Sequence, residues 1–203
     1  MGRVDLRIVE EPVDRVGEHA EIPISFRVDR VLVLSLVDSG LGGITMSETE
    51  VTTPWIKDYD SEKGEGPTRW LKRFDMSNWG SLVAYDAAHD DAHDAGHRVG
   101  GAVIAFRAPG VDMLEGRDDL GVLWDLRVRP ECRSAGVGSA LFRATEDWIR
   151  ARGGRALKVE TQNVNVAACR FYARMGCRLV AIDRRAYRGL PDETQLIWFK
   201  EIT

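Results

Sequence analysis

The stretch "RSAGVGSALF" (133–142) sets two glycines, Gly136 and Gly138, behind Arg133 and directly before a helical pattern. The first turn of a helix carries N–H groups without partners and the positive end of the helix dipole. A bare backbone approach to it therefore suits a phosphate or diphosphate. Other residues suit proton movement. Asp125 in "VLWDL" and Glu160 in "LKVET" are acids in otherwise apolar stretches, fit to accept a proton. Tyr172 in "NVAACRFYARMG" could donate one, with a core aromatic as the plain alternative. Asp58 and Asp60 in "PWIKDYD" (54–60) are placed to host a cation. Among Trp55, Trp70 and Trp79, at least one is expected to wall a substrate cleft.

Two phosphate-binding chemistries fail on spacing. A nucleoside-triphosphate loop needs Gly-Lys-Ser/Thr, whereas Gly138 is followed by Ser139 and Ala140. A dinucleotide fold wants a third glycine where Leu141 stands, and it turns at once after the strand, without a charged "RPECRSA". Cys132 beside Arg133 could carry a lowered pKa, but no histidine is near in sequence, so an ordinary thiol is expected. His89, His93 and His97 recur at a spacing that can hold zinc on a helix. They lie in a polar Ala/Asp/Gly stretch between strand patterns, so a solvated hairpin and no metal site are expected.

The elements that must position these groups read as follows. Strands are expected at 4–11, 22–37, 81–86, 99–106, 120–129, 156–162, 178–183 and 194–202. Residues 38–66 read as an irregular arm with at most a helical turn, and 67–75 as a short helix opened by Pro67. Val137, Leu141, Ala144, Trp148 and Ile149 recur at helical spacing, so 135–152 is a helix closed by Gly153-Gly154. A shorter helix over 165–176 has Asn165 as its cap and Gly176 as its terminator. One strand–helix–strand crossover therefore spans 120–162.

Composition bounds the partners. In 203 residues, 44% hydrophobic and 30% charged content is ordinary for a soluble globular chain. A net charge of −4 offers no basic excess for nucleic acid. The longest apolar run, "VLVLSLV" (31–37), is far short of a bilayer span. "MGRVDLRIVEE" lacks the apolar core of a signal peptide, and three cysteines without metal spacing suggest reduced thiols. A cytoplasmic location with no membrane partner is the expectation.

"LRVRPECRSAGVG" (126–138) resembles the pattern of the GNAT N-acetyltransferase superfamily, in which Arg or Gln is followed after two residues by Gly-x-Gly/Ala. Ser134 and Ala135 replace a commoner glycine and basic residue. The resemblance covers about residues 80–200. "ETQNVNVAACRFYARMGCRL", "DRRAYRG", "ETQLIW" and "KDYD" are similar to the streptothricin acetyltransferase branch, from which Cys177 departs where many relatives carry Phe.

The resemblance implies a mixed α/β acyl-CoA N-acyltransferase fold. Its twisted, mostly antiparallel sheet would contain one splayed parallel strand pair and be flanked by helices. One domain is expected over 1–203, with 1–80 as N-terminal arm and acceptor-side elements and 81–203 as coenzyme core. Acetyl-CoA is the implied cosubstrate, without a metal, lying between the strands that end near Val128 and Glu160. Its diphosphate would lie on Arg133, Ser134, Ala135, Gly136, Val137, Gly138 and Ser139. Leu126 and Val128 would offer backbone groups to the pantetheine arm, Val128 also serving the oxyanion, with Asn165 nearby. Tyr172 would protonate the departing thiolate. Asp125 and Glu160 rank first as base, and Asp58, Asp60 and Trp55 would hold a cationic amine. The implied activity is acetyl transfer to a primary amine of a small polar acceptor, streptothricin-like, as in antibiotic resistance. A protein or peptide acetyltransferase and a non-catalytic acetyl-CoA sensor are the alternatives. A homodimer is open, since relatives of this kind often dimerise.

Overall fold

The computed structural model describes residues 5–61, 66–86 and 97–202. Contacts divide the chain into two units: residues 1–24, 58–159 and 200–203 in one, and 25–57 and 160–199 in the other.

In the first unit, β1 (Leu6–Glu11), β4 (Gly80–Asp86), β5 (Arg98–Phe106) and β6 (Leu120–Val128) form antiparallel neighbours in that order. The start of β7 (Ala156–Gln162) adds a parallel neighbour to β6. That parallel register pairs Leu120, Gly121 and Val122 with Ala156, Leu157 and Lys158, and both strands run on past it. On its other edge β6 stays paired to β5 as far as Val128, opposite Gly100. A register shift beside Asp125 makes Trp124 an extra residue in the strand, a β-bulge. Helix α2 (Val137–Ala151) covers one face, burying Val137, Leu141, Phe142, Trp148 and Ile149. The opposite face carries a 3-10 segment over Val13–Glu21 and the short helix α1 (Pro67–Arg73). The sequence reading had left residues 12–21 without an element.

The second unit contains a long hairpin, the rest of β7, helix α3 (Val166–Arg174), β8 (Arg178–Asp183) and β9 (Gln195–Glu201). Strand β9 lies between β7 and β8, antiparallel to β8. The hairpin pairs β2 (Phe26–Leu36) with β3 (Ile44–Lys57). The irregular arm expected from residue 38 onward is thus corrected over 44–57. Ile44, Thr45, Thr49, Val51, Thr52 and Thr53 are β-branched, and pairing with β2 outweighs the polar composition that suggested a loop. Asn163 pins this unit together: its side chain donates to the Leu32 carbonyl (3.1 Å) and accepts from the Thr194 N–H (2.8 Å).

The sheet is therefore mostly antiparallel with one parallel pair and flanking helices, the mixed α/β architecture expected from the sequence.

Candidate functional site

The turn before α2 begins where β6 ends. The Arg129 N–H donates to the Val99 carbonyl (2.9 Å), and a 3-10 turn over Pro130–Cys132 reverses the chain. Gly136 is the N-cap of α2 at φ 93 and supplies no side-chain cap, so the N–H groups of Val137, Gly138 and Ser139 begin the helix as donors. A Cβ built on Gly136 would meet nothing within 4 Å. The backbone there faces open space, as a bulky anion requires. Ser134 also has positive φ (64), where a glycine would be relaxed. Arg133 lies back along the turn, donating to the carbonyls of Val128 (3.2 Å) and Pro23 (3.4 Å). Leu126 and Val128 stand on β6 beyond the described pairs with β7, which end at Val122 and Lys158. Two adjacent glycines on β5 set the layers on each face. A Cβ on Gly100 would come within 2.9 Å of Val137 and Leu141 of α2, while one on Gly101 would come within 2.6 Å of the His19 ring.

His19 belongs to a buried charge network on the face opposite α2. The Asp125 carboxylate accepts from His19 Nε2 (3.0 Å) and from Arg127 Nε (2.9 Å) and Nη2 (3.0 Å). Arg127 also donates to both oxygens of Asp60 (2.6 and 2.8 Å) and to the Ile22 carbonyl (3.2 Å), so its five N–H groups are all engaged. The side chains of His19, Asp125 and Arg127 are 3%, 7% and 1% exposed. Burial pushes the Asp125 carboxyl up, but the His19 hydrogen bond and Arg127 outweigh it and hold it below the usual carboxylate range. Burial likewise opposes the Arg127 charge, which Asp60 and Asp125 restore and strengthen. Asp125 is thus an ionised acid already balanced by the Arg127 guanidinium, and Asp60 is tied to the same group. Asp58 accepts from the Asp60 backbone N–H (3.1 Å). Trp70 and Trp79 are buried and pack with Phe74 and with Trp124 at the bulge.

In the second unit Glu160 has different company. Its carboxylate accepts from the Tyr187 hydroxyl (2.5 Å) and from Gln195 Nε2 (2.7 Å), and Gln162 Nε2 donates to the Tyr187 oxygen (2.8 Å). Every donor is neutral. Asn165 caps α3 by accepting from the Ala168 N–H (3.1 Å), and Tyr172 faces inward from that helix beside Phe171. Trp55 on β3 is 40% exposed.

Cys132 meets the expectation of an ordinary thiol: burial, Glu131 and Asp86 raise its pKa, the reverse of activation. His89 and His93 lie outside the described residues. The sequence reading missed His19, Arg127, Tyr187, Gln162 and Gln195. His19 sits in no motif, and its partner is 106 positions away; Arg127 lies within the quoted 126–138 stretch, but no spacing rule joins it to Asp60, 67 positions away. Tyr187, Gln162 and Gln195 lie within quoted motifs, but no spacing rule connects them to Glu160.

The model of the acetyltransferase (GNAT) family matches residues 50–177. The chain is 32% identical over 77 residues to streptothricin acetyltransferase A of Bacillus subtilis (strain 168), covering 37% of this chain and 44% of that protein. It is 38% identical over 69 residues to streptothricin acetyltransferase of Streptomyces lavendulae, covering 34% of this chain and 36% of that protein. The chain thus spans less than half the length of these curated relatives. Among solved structures, nourseothricin acetyltransferase superposes with a TM-score of 0.71 at 24% identity, covering 98% of this chain and 99% of that one. A protein of Bacillus anthracis strain Ames, described as a streptothricin acetyltransferase and solved with acetyl coenzyme A, gives the same TM-score, identity and coverage. Such likeness shows the shared fold. With the family match extending over more than half of its length, the chain belongs to the acetyltransferase (GNAT) family.

Proposed function

We propose that the chain transfers the acetyl group of acetyl-CoA to a primary amine of a small cationic acceptor, with a streptothricin-like β-lysyl amine as first choice, by direct attack in a ternary complex. The observation that carries this reading is the bare turn at Gly136: positive φ, no side chain, open space and the donor end of a fifteen-residue helix. An anion of diphosphate size fits such a place better than a side chain does. The β6 edge at Leu126 and Val128 can offer backbone groups to an amide-bearing arm, and the Val128 N–H is the assigned oxyanion donor.

An amine with a reference pKa near 10.4 arrives protonated, so a carboxylate must take its proton before nitrogen attacks. Glu160 receives this role. Asp125 is already paired with the Arg127 guanidinium and bonded to His19, whereas Glu160 meets only a phenol and a carboxamide. The new bond joins nitrogen to the acetyl carbon, the carbon–sulfur bond breaks, Tyr172 gives its phenolic proton to the departing thiolate, and the second proton shed by the nitrogen restores the Tyr172 phenol through solvent. Streptothricin acetyltransferases are among the curated relatives that match, which supports the choice of acceptor. Following thiol release from acetyl-CoA across a panel of amines tests the proposal. Streptothricin is expected to accelerate release, and equal slow release with every amine would overturn it.

A further inference from the structure

A half-buried carboxylate usually has a cation beside it, because an isolated charge away from water is costly. Asp125 follows that rule with Arg127, and Glu193 in the second unit does so with Lys57 (2.9 Å). Glu160 does not. Among the described residues it has no salt bridge, and its two oxygens are gripped by one phenol and one carboxamide. Described hydrogen bonds run from Gln162 to Tyr187, from Tyr187 to Glu160 and from Gln195 to Glu160. Such an arrangement fixes the carboxylate in place while no cationic side chain among the described residues is bonded to it. A carboxylate oxygen carries more lone pairs than one donor uses, so each oxygen can still accept from an incoming group. All four side chains are partly exposed, which gives a solvent-borne group a way in.

We infer that Glu160, Tyr187, Gln162 and Gln195 form an ammonium-binding subsite, with Tyr187 as its positioning residue. The ligand is a primary ammonium group on the acceptor, and the site selects cationic acceptors over neutral ones. The inference rests on the reading of Glu160 as the group that meets the amine. It goes further in giving Tyr187 a share of acceptor affinity, exerted through Glu160 rather than through packing.

The test is a double-mutant cycle read by titration calorimetry on the full chain, without acetyl-CoA, using streptothricin as the probe. Tyr187→Phe removes one hydrogen bond to a charged group and is expected to weaken streptothricin binding about tenfold or more. Glu160→Gln keeps the shape and removes the charge, and is expected to weaken it at least as much. The double variant is expected to bind no worse than Glu160→Gln alone, because Tyr187 then has no charge left to hold. Gln195→Leu should follow the same pattern, which keeps the test independent of any single variant. Acetyl-CoA titration of each variant should match that of the parent, showing an intact fold. Unchanged streptothricin binding in Tyr187→Phe, or losses that simply add in the double variant, would overturn the subsite. Failure of the functional proposal itself is seen separately, as no amine-dependent thiol release by the parent protein.

Discussion

At the scale of single residues, Gly136 and Tyr172 give separable outcomes. Gly136 has φ 93 and open space where a Cβ would stand, so Gly136→Val both strains the backbone and fills the cradle. Acetyl-CoA titration heats should vanish in this variant; normal heats would move the diphosphate elsewhere. Tyr172→Phe keeps the ring and removes the proton, so turnover should fall roughly 10²–10⁴-fold while acetyl-CoA affinity holds. Normal turnover would leave Tyr172 as packing alone. Gly136 was legible from the glycine spacing ahead of a helical pattern, whereas Tyr172 was marked by the family resemblance. The surroundings of Asp125 and Glu160 were not legible: both read as lone acids in strands, yet one meets a guanidinium and the other a phenol. That difference comes from partners brought in by tertiary structure.

At the scale of elements, the glycine pair on β5 controls two layers at once. Successive strand residues face opposite sides, so Gly100 admits α2 and Gly101 admits His19. Gly100→Ala should push the first turn of α2 outward and weaken acetyl-CoA binding, read by titration. Gly101→Ala should displace His19 instead, destabilising the fold by about 1–3 kcal/mol in urea unfolding, the usual cost of overpacking. Swapped effects would show that the two faces had been wrongly assigned. Helix α2 was visible from its apolar repeat, because a buried stripe writes its period into the chain. Strand β3 was not, since a two-stranded ribbon with water on much of both faces needs no strict alternation of apolar and polar residues.

At the scale of the whole molecule, the Asp125 network sets a pH response. Its carboxyl is depressed when folded, while unfolded it returns to about 3.9. The stability it contributes is therefore complete above roughly pH 4 and is lost as pH falls through the lower folded value. Asp125→Asn should flatten the acid limb of stability below roughly pH 4, measured by urea unfolding at stepped pH. At pH 7 the same variant should lose about 3 kcal/mol, because a buried ion pair has lost one partner. An acid limb as steep as the parent's would assign the response to other carboxylates. The fold class was legible because glycine turns, apolar runs and the 120–162 crossover are local patterns. The division into two units was not, since it depends on which distant segments meet.

The saturated guanidinium of Arg127 draws on Asp125 of its own strand and on remote segments around residues 22 and 60. While any of them is out of place, a cation sits in the interior with a vacant donor. Arg127 thus ties two remote stretches of chain to its own strand, and displacing either one leaves the guanidinium short of an acceptor.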